Sequence, residues 1–207
     1  MIIVLLGAAG SGKGTACEQI SQDYNIPSIS TGDLFRDNIK RKTPVGCEAE
    51  KYVNNGILVP DEIVLQMVKE RISQEDCING FILDGYPRSL AQAQSLQKIV
   101  KVDYVINLNT SRKVLLHRIM GRRICANCKY LSHTDRLNGP VCPKCGGVME
   151  QRKDDADKEA IERRLGMYEE NIKPLLAFYK KLGVLHQVAA DNGKDETYSE
   201  ISRVLAK

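Results

Sequence analysis

The sequence predicts an α/β fold whose core is a doubly wound, five-stranded parallel sheet with helices on both faces. Three observations lead to this prediction. An apolar run at the N-terminus breaks into a glycine-rich loop that opens a helix. Strand-like and helix-like segments alternate along the rest of the chain, which implies parallel strands joined by helical crossovers. A length of 207 residues with 43% apolar content suits one hydrophobic core.

The elements follow from apolar periodicity and from turn residues. The predicted strands lie at 1–6, 26–30, 80–84, 102–108 and 184–189. The predicted helices lie at 14–24, 61–72, 89–100, 111–122, 156–181 and 197–205. Residues 31–55 are polar and helix-like, with a break expected at Pro44 and Gly46, and Asp61 is the expected N-cap of the next helix. Residues 123–153 interrupt the alternation with cysteines, prolines and glycines.

The loop after the first strand reads Gly-Ala-Ala-Gly-Ser-Gly-Lys-Gly-Thr over residues 7–15. Glycines let the backbone turn sharply and point its N–H groups at an anion. Lys13 adds a mobile charge for β and γ phosphates, and the Thr15 hydroxyl suits a bound Mg²⁺. A plain glycine-rich turn is the alternative, but strand, glycines, lysine and hydroxyl occur together in the order of a P-loop. The candidate phosphate-binding residues here are Gly10, Ser11, Gly12, Lys13, Gly14 and Thr15.

Polar residues also follow the second and third strands. Thr31 and Asp33 come after one, and Asp84, Tyr86 and Arg88 come after the other. The carboxyl ends of parallel strands form one rim, where ligands bind in such sheets. Asp33 and Asp84 are therefore candidates to hold Mg²⁺ through water. A strand-end aspartate alone is more often a turn former, but a P-loop on the same rim favours the functional interpretation.

Composition limits the partners and the compartment. A net charge of +4 suits phosphorylated small molecules better than extended contact with nucleic acid. The first apolar run is too short for a signal peptide or a membrane span. Seven cysteines favour a reducing compartment. We therefore expect a cytoplasmic protein with no membrane partner. A monomer is the default expectation, because no apolar stripe is left over once the helices cover the sheet.

Four of the cysteines form two CxxC pairs with 13 residues between the pairs. Two such pairs can supply four thiolates at the corners of a tetrahedron, which predicts a structural Zn²⁺ site. Disulfides are the alternative, disfavoured in a reducing compartment. The predicted ligands are Cys125, Cys128, Cys142 and Cys145. Cys17, Cys47 and Cys77 are interpreted as structural.

Six motifs in order resemble the adenylate kinase family over nearly the whole chain. They lie at 7–15, 30–36 (Ser-Thr-Gly-Asp-Leu-Phe-Arg), 56–61 (Gly-Ile-Leu-Val-Pro-Asp), 81–88 (Phe-Ile-Leu-Asp-Gly-Tyr-Pro-Arg), 121–123 (Gly-Arg-Arg) and 152–155 (Arg-Lys-Asp-Asp). The resemblance implies reversible, Mg²⁺-dependent phosphoryl transfer from ATP to AMP. It also implies one P-loop kinase domain over 1–207, a helical monophosphate-binding segment at about 30–59, and a zinc-binding lid at about 121–155.

The resemblance assigns roles to individual residues. Lys13, Arg88, Arg122, Arg152 and Arg164 are the implied catalytic cations. Arg118 is expected to stack on the ATP adenine, and Arg122 and Lys194 are expected to contact ATP. Further adenine contacts near residues 129–132 are not assigned. The implied AMP-binding residues are Thr31, Arg36, Ile57, Leu58, Val59, Gly85, Tyr86, Pro87, Arg88, Gln92, Arg152 and Arg164.

One assignment and three functional alternatives stay open. Arg163 competes with Arg164, and Leu165 after the latter favours Arg164. A relative that uses GTP as donor, or UMP or CMP as acceptor, is the enzyme alternative. A zinc-ribbon nucleic-acid-binding module would explain the cysteines but not the P-loop. A P-loop ATPase would need a positioned water, for which the sequence offers no residue.

Overall fold

The computed structural model describes residues 1–54 and 59–206 of the chain. The strands, in chain order, are β1 Ile2–Leu6, β2 Ser28–Ser30, β3 Phe81–Asp84, β4 Tyr104–Asn109, β5 Arg122–Cys125, β6 Leu131–His133, β7 Met149–Glu150 and β8 Leu185–Ala189. The helices are α1 Lys13–Tyr24, α2 Thr31–Lys40, α3 Pro44–Asn54, α4 Asp61–Ile72, α5 Leu90–Gln97, α6 Arg112–Gly121, α7 Lys153–Ala156, α8 Lys158–Lys181 and α9 Lys194–Leu205. Short 3₁₀ turns lie at Glu75–Cys77 and Thr134–Arg136.

The central sheet has five parallel strands in the order β2-β3-β1-β4-β8. This confirms the predicted fold class. Asp84 at the end of β3 pairs in register with Leu5 of β1 and Ser30 of β2. The segments that follow these three strands therefore leave the sheet at one rim.

Two apolar cores cover the two faces of this sheet. Alternate residues of a strand point to opposite faces, so Val4 packs with α4, α5 and α8, whereas Ile3 packs with α1 and α9. A third cluster joins α6 to α8 directly beneath the glycine-rich loop. The start of the loop, at Ala8 and Ala9, thus rests on α6 and α8.

The polar segment after β2 forms two helices, α2 and α3. The expected break at Pro44 and Gly46 is correct in part. Pro44 begins α3, where its missing N–H costs nothing, but the helix continues through Gly46. A Cβ at Gly46 would lie 2.2 Å from the Asn38 carbonyl oxygen, so glycine is what allows α3 to approach α2 closely.

Residues 122–150 contain a three-stranded antiparallel sheet in the order β6-β5-β7. The sequence predicted an interruption here but not these strands, which are two to four residues long and carry too little periodicity. The apolar core under this sheet is small, since it consists of Cys125, Cys142 and Met149 with Leu137 beside them.

Two other expected boundaries are corrected. Asp61 is not the N-cap but the first residue of α4, following Pro60. Its carboxylate instead accepts a hydrogen bond from Gln92 at 2.6 Å. The last helix begins at Lys194, directly after Gly193, and not at Thr197, whose hydroxyl donates back to the Gly193 carbonyl.

Among the described residues, no helix combines the length and the apolarity that a membrane crossing requires.

Candidate active site

The glycine-rich loop follows β1 and closes into α1. Gly12 is the N-cap of α1 with φ 96°, a left-handed conformation that disfavours side chains. A Cβ at Gly10 would lie 2.8 Å from Ile119 of α6. Gly12 and Gly14 have open space around them. The loop therefore presents free backbone at the positive end of a helix, which is a favourable place for phosphate.

Lys13 folds back over this loop. Its Nζ donates to the carbonyl oxygens of Gly7 at 2.8 Å and Ala8 at 2.9 Å. Burial lowers the pKa of Lys13, the nearby carboxylate of Asp84 raises it, and the positive charge of Arg88 lowers it. An anion in the loop would favour the charged form.

The Ser11 hydroxyl of the same loop is buried and has no hydrogen-bond partner among the described residues. A buried hydroxyl of this kind usually has a partner in the working protein. Together with the open backbone of the loop, the Ser11 hydroxyl suits an anion bound in the loop.

The two predicted Mg²⁺ residues lie on the same rim. Asp84 ends β3, between the ends of β2 and β1. Asp33, in the first turn of α2, forms an ion pair with Arg36 at 2.6 Å. Burial raises the pKa of Asp33, but the hydrogen bond and charge of Arg36 outweigh burial and hold that pKa below its ordinary value. Both carboxylates thus suit a hard cation with oxygen ligands.

The segment after β3 is held by hydrogen bonds to one carbonyl. The Gly85 oxygen accepts from Arg88 Nε at 2.7 Å and from the Thr31 hydroxyl at 3.0 Å. Arg88 is exposed to the cleft, yet surrounding protein atoms withdraw its guanidinium from bulk water and lower its pKa. The charges of Arg164 and Arg36 lower that pKa further, whereas Asp84 raises it. Arg88 therefore lies among other cations around Asp84.

Gln92 is buried, and both ends of its carboxamide are engaged. Its Oε1 accepts from the Arg88 backbone N–H at 2.7 Å, and its Nε2 donates to Asp61. Each end retains one further hydrogen-bonding position. The predicted contact of Gln92 with adenine stays a prediction, and Asp61 is a neighbour that sequence reasoning missed.

Of the other predicted AMP-binding residues, Tyr86, Pro87 and Val59 are buried. Ile57 and Leu58 lie outside the described residues.

Asp155 joins two of the predicted catalytic arginines. This fully buried carboxylate accepts two hydrogen bonds from Arg122, each 2.6 Å long, and one from Arg164 at 3.1 Å. Arg163, in contrast, is exposed on the outer side of α8. Of the two candidates, Arg164 is the one that joins Arg122 at Asp155, and the choice between them stays a prediction. Arg152 lies close enough to Asp33 to lower its pKa.

Asp155 has no predicted role, although it is the last residue of the Arg-Lys-Asp-Asp motif at 152–155. The available signal was an acidic residue three positions after one predicted phosphate-binding arginine and nine before another. A carboxylate in such surroundings commonly holds the guanidinium groups in place.

We expect Asp155→Asn to lower kcat roughly ten- to hundredfold, because hydrogen bonds to charged groups contribute about 1.5–3 kcal/mol. The variant keeps the shape of the side chain but loses the charge that orients Arg122 and Arg164. Steady-state kinetics would show the loss. Asp157→Asn is a matched control, since Asp157 caps α8 and asparagine caps a helix equally well. An unchanged kcat in Asp155→Asn would show that the arginines need no such support.

Arg118 of α6 and Lys194 at the start of α9 form a second pair of predicted residues. Arg118 donates to the backbone oxygen of Asp191 at 3.2 Å. Lys194 is exposed and begins α9 three residues later. The turn that carries Lys194 thus lies beside Arg118, as expected if both face the adenine of one nucleotide.

The four predicted zinc ligands converge. The sulfurs of Cys125 and Cys145 are 3.4 Å apart, those of Cys128 and Cys142 are 3.7 Å apart, and all four lie within 4.8 Å of one another. A zinc–sulfur bond of about 2.3 Å gives a tetrahedral edge of about 3.8 Å. Backbone N–H groups point at Cys125 from Cys128 and at Cys142 from Lys144. The donor set and spacing fit Zn²⁺, and all seven cysteines are free thiols in the structure.

A P-loop, a strand-end aspartate and converging arginines on one rim of a parallel sheet define the class of P-loop phosphotransferases. Comparison with known proteins narrows the class. The family model described as adenylate kinase matches residues 5–184. Proteins named adenylate kinase from Bacillus thuringiensis (strain Al Hakam) and Bacillus anthracis (strain A0248) are 44% identical, and one from Bacillus mycoides (strain KBAB4) is 45% identical. Each alignment covers 99% of this chain and 98% of the relative.

The chain belongs to the adenylate kinase family. It is therefore a nucleoside monophosphate kinase, and the family implies nucleotide substrates.

Proposed function

We propose that the protein catalyses reversible, Mg²⁺-dependent transfer of the γ-phosphoryl group of ATP to AMP, giving two ADP. The convergence of cations around Asp84 carries this proposal. Arg88 and Arg122 lie close enough to Lys13 to lower its pKa, and Arg164 and Arg36 act on Arg88 in the same way. Such repulsion is tolerated when several phosphates bind in the space between the cations.

The two sides of this space suit the two nucleotides. The P-loop, with Lys13 and Thr15, would hold the ATP phosphates, while Arg118 and Lys194 would contact its base. Thr31, Arg36, Arg88 and Gln92 would hold AMP on the other side. The segment at about 30–59 would therefore be the monophosphate-binding segment.

The transfer needs positioning and charge stabilisation more than proton transfer, since the AMP phosphate is already ionised near neutral pH. Lys13, Arg88 and Arg122 would stabilise charge on the moving phosphoryl group. Asp33 and Asp84 would hold Mg²⁺ through water; the ion supplies charge neutralisation at the β and γ phosphates.

Residues 121–155 would close over this space as a lid. The four-cysteine site, filled with Zn²⁺, would make the lid rigid, and closure would exclude water that would otherwise accept the phosphoryl group. A monomer in the cytoplasm is sufficient for all of these roles, because one chain supplies every proposed residue.

An acceptor panel tests the proposal. Purified protein is given ATP or GTP as donor and AMP, UMP, CMP or GMP as acceptor, with and without Mg²⁺, beside reactions that lack an acceptor. We expect ADP from ATP only with AMP and Mg²⁺ present. Preference for another donor and acceptor would show that ATP and AMP are not the preferred substrates. Phosphate release without an acceptor would indicate an ATPase.

We expect Arg164→Ala to lower kcat about 10²- to 10³-fold, the effect of removing one donor that stabilises transition-state charge. Arg163→Ala is the matched control on the next residue of α8. Its side chain is exposed, so activity should stay near that of the unmodified protein. A larger loss of kcat in Arg163→Ala than in Arg164→Ala would assign the catalytic role to Arg163.

A further inference from the structure

Three side chains cluster where α6 meets the three-stranded sheet of residues 122–150. They are His117, His133 and Asp135. His117 is on α6, His133 ends β6, and Asp135 is in the 3₁₀ turn that follows. His133 Nε2 lies 3.1 Å from the backbone oxygen of His117. A Cβ on Gly121 would lie 1.9 Å from that nitrogen, so glycine at the end of α6 is what admits the ring.

The donor atoms of the cluster converge on one point. His117 Nε2 and His133 Nδ1 are each 3.3 Å from the same oxygen of Asp135, Oδ2. The two imidazole rings stack at 4.8 Å with an interplanar angle of 28°. One ligand atom from each residue lies within 4.8 Å of the other two.

The hydrogen-bond pattern places the one lone pair of His133 Nδ1 beside the Asp135 carboxylate. His133 Nε2 points at a carbonyl oxygen and so carries the hydrogen in the neutral ring, which makes Nδ1 an acceptor. Nδ1 accepts the Asp135 backbone N–H at 3.2 Å, a contact at the long end of the usual range. Nδ1 and Oδ2 lie 3.3 Å apart, and a cation bound between them would displace the long backbone contact from the one lone pair of Nδ1.

The spacing fits a transition metal. Metal–nitrogen bonds of about 2.0–2.1 Å and metal–oxygen bonds of about 2.0–2.2 Å give tetrahedral edges of about 3.3–3.5 Å. The two nitrogen–oxygen distances of 3.3 Å agree with that range. Two imidazoles and one carboxylate suit Zn²⁺, Co²⁺, Ni²⁺ or Cu²⁺ better than Mg²⁺ or Ca²⁺. The side chains of His117 and Asp135 are 65% and 60% exposed, so water can complete the coordination.

We propose that His117, His133 and Asp135 form a second metal site for a zinc-class ion, separate from the four cysteines. One ligand comes from α6 and two come from the segment proposed as the lid. A bound ion therefore clamps that segment to α6. Metal binding at this site does not depend on the proposed phosphoryl transfer and is measured without it.

Calorimetric titration tests the proposal on protein whose four-cysteine site is already filled with Zn²⁺. We expect one additional Zn²⁺ per chain. His117→Ala and Asp135→Asn should each weaken this second event by more than about tenfold, since even supporting residues of metal sites have effects of that size. Both side chains are exposed, so both variants should fold, which circular dichroism verifies. His186→Ala is the matched control, because His186 is half-buried on β8 of the main sheet and outside this cluster.

A second readout identifies the ligands. Co²⁺ added to the same zinc-loaded protein should give visible d–d bands without a thiolate charge-transfer band, and these bands should be lost in His117→Ala. The proposal is overturned if the unmodified protein takes up no second ion. It is equally overturned if His117→Ala and Asp135→Asn bind it as tightly as the unmodified protein, or if His186→Ala weakens it as much.

Discussion

Replacement of Lys13 by methionine is expected to lower kcat about 10²- to 10³-fold, the usual loss when one preorganised charge donor is removed. Nζ is held by two loop carbonyls, and Asp84, Arg88 and Arg122 all lie close enough to shift its pKa. Lys13 is thus the cation placed between the phosphate loop and the arginine cluster. Methionine keeps most of the side-chain volume and removes the charge.

Steady-state formation of ADP measures the effect, and the melting temperature shows whether the variant folds. Lys98→Met is the control, since Lys98 is an exposed residue at the end of α5, distant from the rim. A Lys13→Met variant that folds and retains the original kcat would contradict the assigned role of Lys13.

Removal of the Zn²⁺ proposed for the four-cysteine site is expected to unfold residues 122–150 while the five-stranded sheet stays folded. The apolar cluster beneath β5–β7 is too small to hold this segment alone. Structural zinc contributes about 10–16 kcal/mol to the folding of small zinc domains. The two apolar clusters that cover the main sheet contain none of the four cysteines.

Hydrogen exchange measured by segment tests this expectation, using chelated protein or Cys142→Ser. Exchange should rise across 122–150 and stay slow in β1, β3 and β4, and the melting temperature should fall. Cys47→Ser is the control, because Cys47 is exposed on α3 and outside the cysteine cluster. Demonstrated loss of metal with unchanged exchange and melting temperature would show that the site does not stabilise this segment.

The sheet and the cysteine cluster were predictable from sequence because their signals are local. Alternation of apolar strands and helices, glycines around Lys13 and paired CxxC runs each occupy a few consecutive residues. The adenylate kinase resemblance rested on motifs of the same kind, and the family comparison confirmed it.

Contacts between distant residues were not predictable in this way. Asp155 meets Arg122 across 33 positions, and Gln92 meets Asp61 across 31. A side chain that holds another side chain leaves no periodic signal. The strands β5–β7 were missed for a different reason, since short antiparallel strands around a metal site depend on the metal ligands more than on apolar alternation.

The reaction proposed for this protein is direct phosphoryl transfer between two nucleotides bound on one rim. Its most direct test is a reaction of AMP with ATP labelled in the γ-phosphoryl group, followed by separation of the products. We predict that the label appears in ADP, in proportion to the AMP consumed, and that free phosphate stays at the level of an enzyme-free control. Label released as free phosphate, with or without AMP, would contradict the claim and show that water is the acceptor.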